Sequence, residues 1–397
     1  MRRAQAALFA LLALLCALLS PAPARADGAP DEQSIELYTV GPASDLYSRW
    51  GHSALCVMSK KDTGDCYDFG VPNPAYASNM VWHSLTGKPI FVTVRVPYAV
   101  MLSTFQNQER TIEKQKLSLS AQERDAIKKA LEESAARGDA YAYHPVHATC
   151  STRIRDIIND NTGGRLKQGD GVSKGPTLRE LCEEGLSGHL LELTALALMA
   201  NGSIERQPSI YEAMLLPTKL RDGVESRFAA KPEKVHDREI VRLPTSTGVG
   251  RGLLVVLGFV LMFGIHFASR PGPKAPARTT LSLRLVGLLQ GGLGAFIAVL
   301  SFACAYPETR RNWVMLVLLP SDVALGFLPK RLVKHYALGR LVMLGALVLL
   351  EIIGVIPQRI IPVALFAGLP MLAAYLIPKG GPATTPPAET KTAQSSP

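Results

Sequence analysis

The chain has no glycine-rich phosphate loop, no internal repeat and no Cys/His spacing suited to a metal site in its 397 residues. P-loop nucleotide chemistry, solenoid architecture and a structural zinc are therefore excluded as organising features, and no cofactor is expected. Acidic residues are scarce in one part only. Residues 27–245 carry 26 Lys+Arg against 29 Asp+Glu, whereas the remainder has 17 basic residues and 4 acidic ones. The net charge of +10 thus lies entirely outside the polar segment. It reads as a membrane-topology signal, and no nucleic-acid partner is expected. Cysteine is sparse too: between the leader and the apolar region only Cys56, Cys66, Cys150 and Cys182 occur. Cys16 follows Leu15, where a lipobox needs a small residue, so the chain does not read as a lipoprotein itself.

What is present begins with an export leader. Arg2 and Arg3 precede the apolar run Ala6 to Leu19, and Ala24-Arg25-Ala26 supplies a small-x-small cleavage pattern. A signal peptide at 1–26 and a mature start near Asp27 are expected. From Gly252 onward come five apolar runs, 252–269, 281–306, 313–328, 341–356 and 360–377. A helix needs about 20 residues to cross the hydrocarbon, which the first two runs supply. Pro320, Pro362 and Pro370 punctuate the shorter three. Arg270, Lys274, Arg278 and Arg284 flank the first turn between spans, and Lys330, Arg331, Lys334 and Arg340 flank the third. The positive-inside bias puts both turns in the cytoplasm, leaving residues 27–245 outside; Arg310 and Arg311 run mildly against it. The expected organisation is a periplasmic domain at 27–245, a membrane domain of about five helices at 246–378 and a disordered cytoplasmic tail at 379–397. The expected location is the bacterial inner membrane.

Within the polar segment, 35–40, 52–58, 65–70 and 90–96 are rich in strand formers. The turn-forming stretch Ser59 to Gly64 makes 52–58 and 65–70 a β-hairpin. Ser120 and Glu123 have capping-box spacing ahead of a helix, a second helix begins at Thr149-Cys150, and residues 177–200 form one or two more. The result is an α+β domain ahead of an all-α bundle.

Three stretches carry chemistry: Trp50 to Leu55, Tyr67 to Gly70, and Thr149 to Asp156. A cysteine at the first turn of a helix meets unpaired amides and the positive end of the dipole, which favour thiolate. The same amides suit an oxyanion. His52, on a strand, is the candidate base. If Cys56 faces Cys66 across the hairpin, Asp68 lies opposite Ala54 and diagonal to His52, on the same face, where it can orient the imidazole. Each residue also has a plainer reading. Cys150 can bridge to Cys182, His52 can be an ordinary strand residue, Asp68 can cap a turn, and Arg153 and Asp156 can be a surface ion pair. His144 and His147 are rival bases.

Gly51-His52, Tyr67-Asp68-Phe69-Gly70 and Cys150-x-Thr152-Arg153-x-Arg155-Asp156, in that order, resemble the N-terminal periplasmic domain of the Lnb-type lipoprotein N-acyltransferases. The resemblance covers about residues 36–160, and Tyr211 to Gly223 also fits. Asn312-Trp313 through Pro320-Ser321-Asp322 looks like the family's membrane part. Thr149 stands where the family often has Asn. The resemblance implies a permuted papain-like (NlpC-type) fold with Cys150, His52 and Asp68 catalytic. Arg153 is a substrate-binding candidate; so are Asn312 and Asp322, which with Glu351 lie in or beside spans, where polar groups are costly and often functional, although both can equally sit at span ends in water. The resemblance implies transfer of an acyl chain from the diacylglyceryl group of a lipoprotein, through a Cys150 thioester, to the lipoprotein's own N-terminal amine. Diacylglyceryl lipoproteins and membrane lipid are the partners implied. A papain-like hydrolase of phospholipid esters or peptidoglycan peptides, and a non-catalytic envelope scaffold, are the competing readings.

Overall fold

The computed structural model describes residues 33–45, 47–238 and 247–377. The leader expected at 1–26 and the tail expected at 379–397 lie outside the described residues, as does most of the junction near 245. In chain order the first part contains β1 (Ser34–Val40), β2 (His52–Met58), β3 (Gly64–Pro72), α1 (Met80–Leu85), β4 (Ile90–Pro97), α2 (Tyr98–Asn107) and β5 (Ile112–Lys116). There follow α3 (Ala121–Ala136), β6 (Ala140–Ala142), α4 (Cys150–Asp160), α5 (Leu178–Glu184), α6 (Leu190–Met199), α7 (Ile210–Ala213), α8 (Pro217–Phe228) and β7 (Glu233–His236). The strands form one sheet in the order β6-β4-β3-β2-β1-β5-β7, every pairing antiparallel.

Strand alternation sends successive side chains to opposite faces, and both faces of this sheet are covered. Leu55, Val57, Tyr67 and Phe69 pack with Ile127 and Leu131 of α3, Ile154 and Ile158 of α4, and Leu220 and Val224 of α8. Ala54, Cys56, Met58 and Cys66 pack on the other side with Met101 and Phe105 of α2. Burying each large apolar side chain contributes roughly 1.5–3 kcal/mol, which fixes the register, because a one-residue slip would send every one of them to the opposite face, where it meets a different set of packing partners. The register has Cys56 opposite Cys66 and Ala54 opposite Asp68. The two cysteines are joined as a disulfide. The capping box at Ser120 and Glu123 is present at the start of α3.

The second part is helical: α9 (Val249–Ala268), α10 (Ala275–Ala303), α11 (Val314–Val317), α12 (Lys330–Ile352) and α13 (Ile361–Leu376). Among the described residues α9, α10 and α12 are the 3 helices long and apolar enough to cross a membrane, and α13 is shorter. The apolar run 313–328 differs from a continuous span. It is broken into α11 and a 3-10 turn, Pro320–Gly326. Irregular backbone at membrane depth must be covered by protein. Here α10 covers it with a glycine face. A β-carbon on Gly287, Gly291 or Gly294 would lie 2.7 Å from Asp322 O, 2.5 Å from Val323 N or 2.4 Å from Leu318 O. Asp322, fully buried, then accepts from Arg340 of α12 at 2.7 and 2.8 Å and from Tyr336 at 2.7 Å.

Helix α6 is one of the helices expected within 177–200. It is apolar nearly all round, and Ala197 and Leu198 share a core with Leu254, Ile297 and Val314 of the bundle. Gly250, at the start of α9, lets the Leu193 carbonyl approach so closely that a β-carbon would sit 2.3 Å from it. The two parts are therefore packed together. Ala305 N donates to Thr86 O at 2.8 Å, and Gln358 Nε2 donates to Ala200 O at 3.0 Å. The loops 304–313 and 353–360 thus lie on the side of the sheet domain, and the basic turns about Arg270 and Lys330 lie at the opposite end.

Candidate active site

Two adjacent pairs of residues bring strand and helix together. Ser53, after His52, and Ser151, after Cys150, are both fully buried, with their hydroxyls 3.0 Å apart. That contact holds the start of β2 against the start of α4. Helix α4 begins at Cys150 because Thr149 caps it: its Oγ1 accepts from Thr152 N at 3.2 Å, while Thr152 Oγ1 accepts from Thr149 N at 2.8 Å. The Thr149 hydroxyl also donates to Leu215 O at 3.2 Å, so this side chain is structural. The cap takes the Thr152 amide and leaves the amides of Cys150 and Ser151 as the free donors of the first turn.

Asp68 completes the group. His52 Nε2 lies 3.1 Å from Asp68 Oδ1, off the direction of a linear hydrogen bond. With Nε2 turned to the carboxylate, Nδ1 is the nitrogen left to exchange a proton with sulfur. Asp68 is positioned by a bulge, since the β3–β4 register shifts between Asp68 and Val71, and its Oδ1 accepts from Gly70 N at 2.7 Å. Bulges re-aim side chains in this way. Gly70 also makes room for the imidazole: a β-carbon there would lie 2.6 Å from His52 Cε1. We expect Gly70→Ala to push the ring off its present position and lower kcat by about 100-fold. Thermal melting should change little. Full activity in that variant would mean the ring is not held where it stands.

The electrostatics favour a charged pair. Burial pushes the Cys150 thiol up, but the His52 imidazolium, its hydrogen bond and the Ser53 amide together hold it below the ordinary thiol range. Burial pushes His52 down, yet Asp68 and Cys150 raise it well above the usual imidazole value. Asp68 feels the same balance: burial raises it, and His52, the Gly70 amide and Arg110 bring it below the usual carboxylate range. Thiolate, imidazolium and carboxylate are thus mutually stabilising. Cys182 is the contrast, since burial, aided by the Glu308 and Glu183 carboxylates and only partly offset by Arg179, pushes its thiol up to about 12. Cys150 and Cys182 are both free, so no bridge joins them.

Several neighbours have no signal in the sequence. Arg110, 3% exposed, donates to Gly41 O at 2.8 Å and lies over the Phe105 ring, which packs 5.7 Å from the His52 ring. Tyr141 donates to Phe69 O, and Tyr143 is close enough to Cys150 to be influenced by its charge. Tyr141 is the middle residue of β6 and Tyr143 follows it, in a segment whose composition reads as loop.

The remaining sequence candidates are placed as follows. Arg153 lies over the Tyr141 ring at 5.2 Å, on the flank of the site. Asp156 pairs with Arg155 at 2.7 Å and accepts from Tyr211 at 2.7 Å, so Arg153 is not its partner. Asn312 lies in the bundle, where its amide donates to Leu198 O and Met199 O at 2.8 and 3.0 Å and its oxygen accepts from Gln358 at 2.8 Å. Asp322 is held by Arg340. Neither of these two joins the cysteine group.

His144 and His147 face Glu308 instead of Cys150, each with Nε2 3.2 Å from a carboxylate oxygen. Their ligand atoms all lie within 4.8 Å, which is the spacing of a metal site. The donor chemistry does not fit one. His144 Nδ1 accepts the amides of Val146 and His147 at 3.1 and 3.2 Å, so the ring proton sits on Nε2 and points toward Glu308. A metal ligand needs that nitrogen bare and its partner nitrogen donating. The trio is therefore a clasp between the loop before Cys150 and the loop after α10. Tyr306 adds to it, donating to Tyr143 O at 3.3 Å.

A protein-family model described as the Lnb N-terminal periplasmic domain matches residues 22–184. The matched segment contains Cys150, His52 and Asp68 and ends at the last residue of α5, before the helical bundle. No curated protein and no solved structure matches the chain.

Proposed function

We propose, from the match of residues 22–184 to the family model described as the Lnb N-terminal periplasmic domain, that the protein is a membrane-bound thiol acyltransferase of the Lnb type. It moves an acyl chain from the diacylglyceryl group of a lipoprotein to that lipoprotein's N-terminal amine, leaving a lyso-form. The sheet domain is read as a permuted papain-like fold, in which the histidine strand precedes the cysteine helix. The enzyme would reside in the bacterial inner membrane, with residues 27–245 in the periplasm and the C-terminus in the cytoplasm.

In the first step the Cys150 thiolate attacks the glyceryl ester carbonyl, and the tetrahedral oxyanion is met by first-turn amides of α4. The C–O bond breaks, the glyceryl oxygen takes the proton held by His52, and a thioester remains on Cys150. In the second step the lipoprotein α-amine attacks the thioester and gives its proton to His52. The amide forms as sulfur leaves, restoring the thiolate–imidazolium pair. Asp68 holds the imidazole in orientation and balances its charge throughout.

One observation carries the reading: an activated thiol sits where the outer loop of a membrane bundle clasps the sheet domain, through Tyr306 to Tyr143 and Glu308 to His144. A cell-wall peptidase has no need of such a bundle. A scaffold has no need of a thiol held below its ordinary range beside an imidazole. Water in place of the amine would make the same site a lipase, so the product decides. Expression in a bacterium depleted of its own lipoprotein N-acyltransferase, followed by mass spectrometry of lipoprotein N-termini, should reveal N-acylated lyso-forms. Their absence with the protein present would defeat the proposal.

A further inference from the structure

An apolar cavity of about 270 Å³ lies between α6, α9 and α10, with Phe366 of α13 contributing to its wall. Leu191 and Ala195 line it from α6, Leu257 from α9, and Leu293 and Phe296 from α10. Its polar side chain is Thr194, whose hydroxyl is already committed to Leu190 O at 2.7 Å. The cavity therefore offers no side-chain donor or acceptor to a headgroup, and a peptide there would bury unpaired backbone. Its occupant is hydrocarbon.

Depth narrows the occupant further. Leu257 and Leu261 lie roughly 12 and 18 Å along α9 from its start beside α6. Phe296 and Leu289 lie roughly 10 and 21 Å from the end of α10 on that same side. Half of a hydrocarbon core is about 15 Å, so the cavity spans the leaflet next to the sheet domain. Leu191, 79% exposed, and Phe296, 46% exposed, stand at its open side, which allows lateral entry from lipid. Helix α6 also links the cavity to the chemistry, since Glu192 pairs with Arg49 at 3.0 Å, three residues before His52.

We propose that this groove seats one acyl chain of the diacylglyceryl donor and so sets chain-length preference. The identity of that chain as the donor's rests on the acyl-transfer reading. The groove as a binding site for acyl chains of the outer leaflet does not.

The test uses the full-length protein in nanodiscs with a diacylglyceryl lipopeptide carrying a diazirine at the end of its sn-2 chain. Photo-adducts should fall on Leu257, Leu293 or Phe296 in the wild type and equally in Cys150→Ala. They should disappear in Ala195→Trp and in Leu257→Trp, two variants that fill the groove from different helices. Transfer from a palmitoyl donor should fall about tenfold or more in the filled variants, and far less from an octanoyl donor. Adducts scattered evenly over lipid-facing residues such as Phe259 and Phe302 would overturn the groove. So would filled variants that transfer both chain lengths as the wild type does, and acyl transfer would survive either result. Adducts in the groove of a wild type that transfers nothing to an amine would support the groove and defeat the acyl-transfer reading instead.

Discussion

Cys150→Ala should lower acyl transfer by about 10⁵-fold while the protein folds and inserts normally. The size follows from the proposed reaction path: without sulfur there is no thioester, and the remaining amides and binding contacts act on an ester that no group attacks. Cys150→Ser should be almost as inactive. A serine hydroxyl ionises far less readily than a thiol, so the pairing that lowers Cys150 and raises His52 cannot form with it. The same pairing dictates the pH profile of the wild type. As pH falls through the depressed Cys150 value, the thiolate is protonated and rate is lost. As pH rises past the elevated His52 value, the imidazolium that protonates the leaving glyceryl oxygen is lost. The plateau between these limbs should lie around neutrality and extend above the ordinary range of histidine. A thiol probe applied without reductant should label Cys150 and spare Cys182, whose thiol is pushed up to about 12. Wild-type rates in Cys150→Ala, or a probe that fails to reach Cys150, would remove the mechanism.

Much of this centre was legible because its parts follow local rules. The turn-forming stretch Ser59 to Gly64 and the facing pair Cys56 and Cys66 define a register, and period-two alternation then brings Asp68 to the face of His52. A Thr-Cys step before Ile154, Ile157 and Ile158 announces a capped amphipathic helix, and helix α4 starts there. Arg110, Tyr141 and Tyr143 were not legible because tertiary packing alone brings them near, and no periodicity marks a side chain that arrives from a distant strand or loop. The bulge at Gly70 was hidden for a related reason. A glycine two residues after an aspartate reads as a strand end until the imidazole it accommodates is in place. Helix α6 shows the limit of composition. Its ten apolar-rich residues are too few for a span, so length argues for a soluble core, yet the helix packs against the bundle through the close approach of Leu193 to Gly250.

Arg340→Met should be the most destabilising single change in the membrane part, at about 3–5 kcal/mol. Arg340 is 4% exposed and Asp322 is fully buried, so removing the guanidinium leaves a carboxylate with no compensating charge in a low-dielectric interior. The loss extends beyond one ion pair. Arg340 also donates to Val317 O at 2.6 Å, satisfying a carbonyl of the broken segment, and Leu319 N donates to Asp322 at 3.3 Å. The pair thus anchors irregular backbone that α10 covers with its glycine face. In Asp322→Leu the cation is stranded instead, and a similar loss is expected. The double variant Asp322→Leu/Arg340→Met removes both charges and should regain most of the stability, because a buried ion pair gains little over well-packed apolar groups. Thermal melts in detergent distinguish these outcomes, and an Arg340→Met protein that melts like the wild type would refute the anchor. Activity of the double variant separates structure from chemistry. If the pair only holds the segment in place, transfer returns with stability. If stability returns and transfer does not, Asp322 or Arg340 meets the substrate as well.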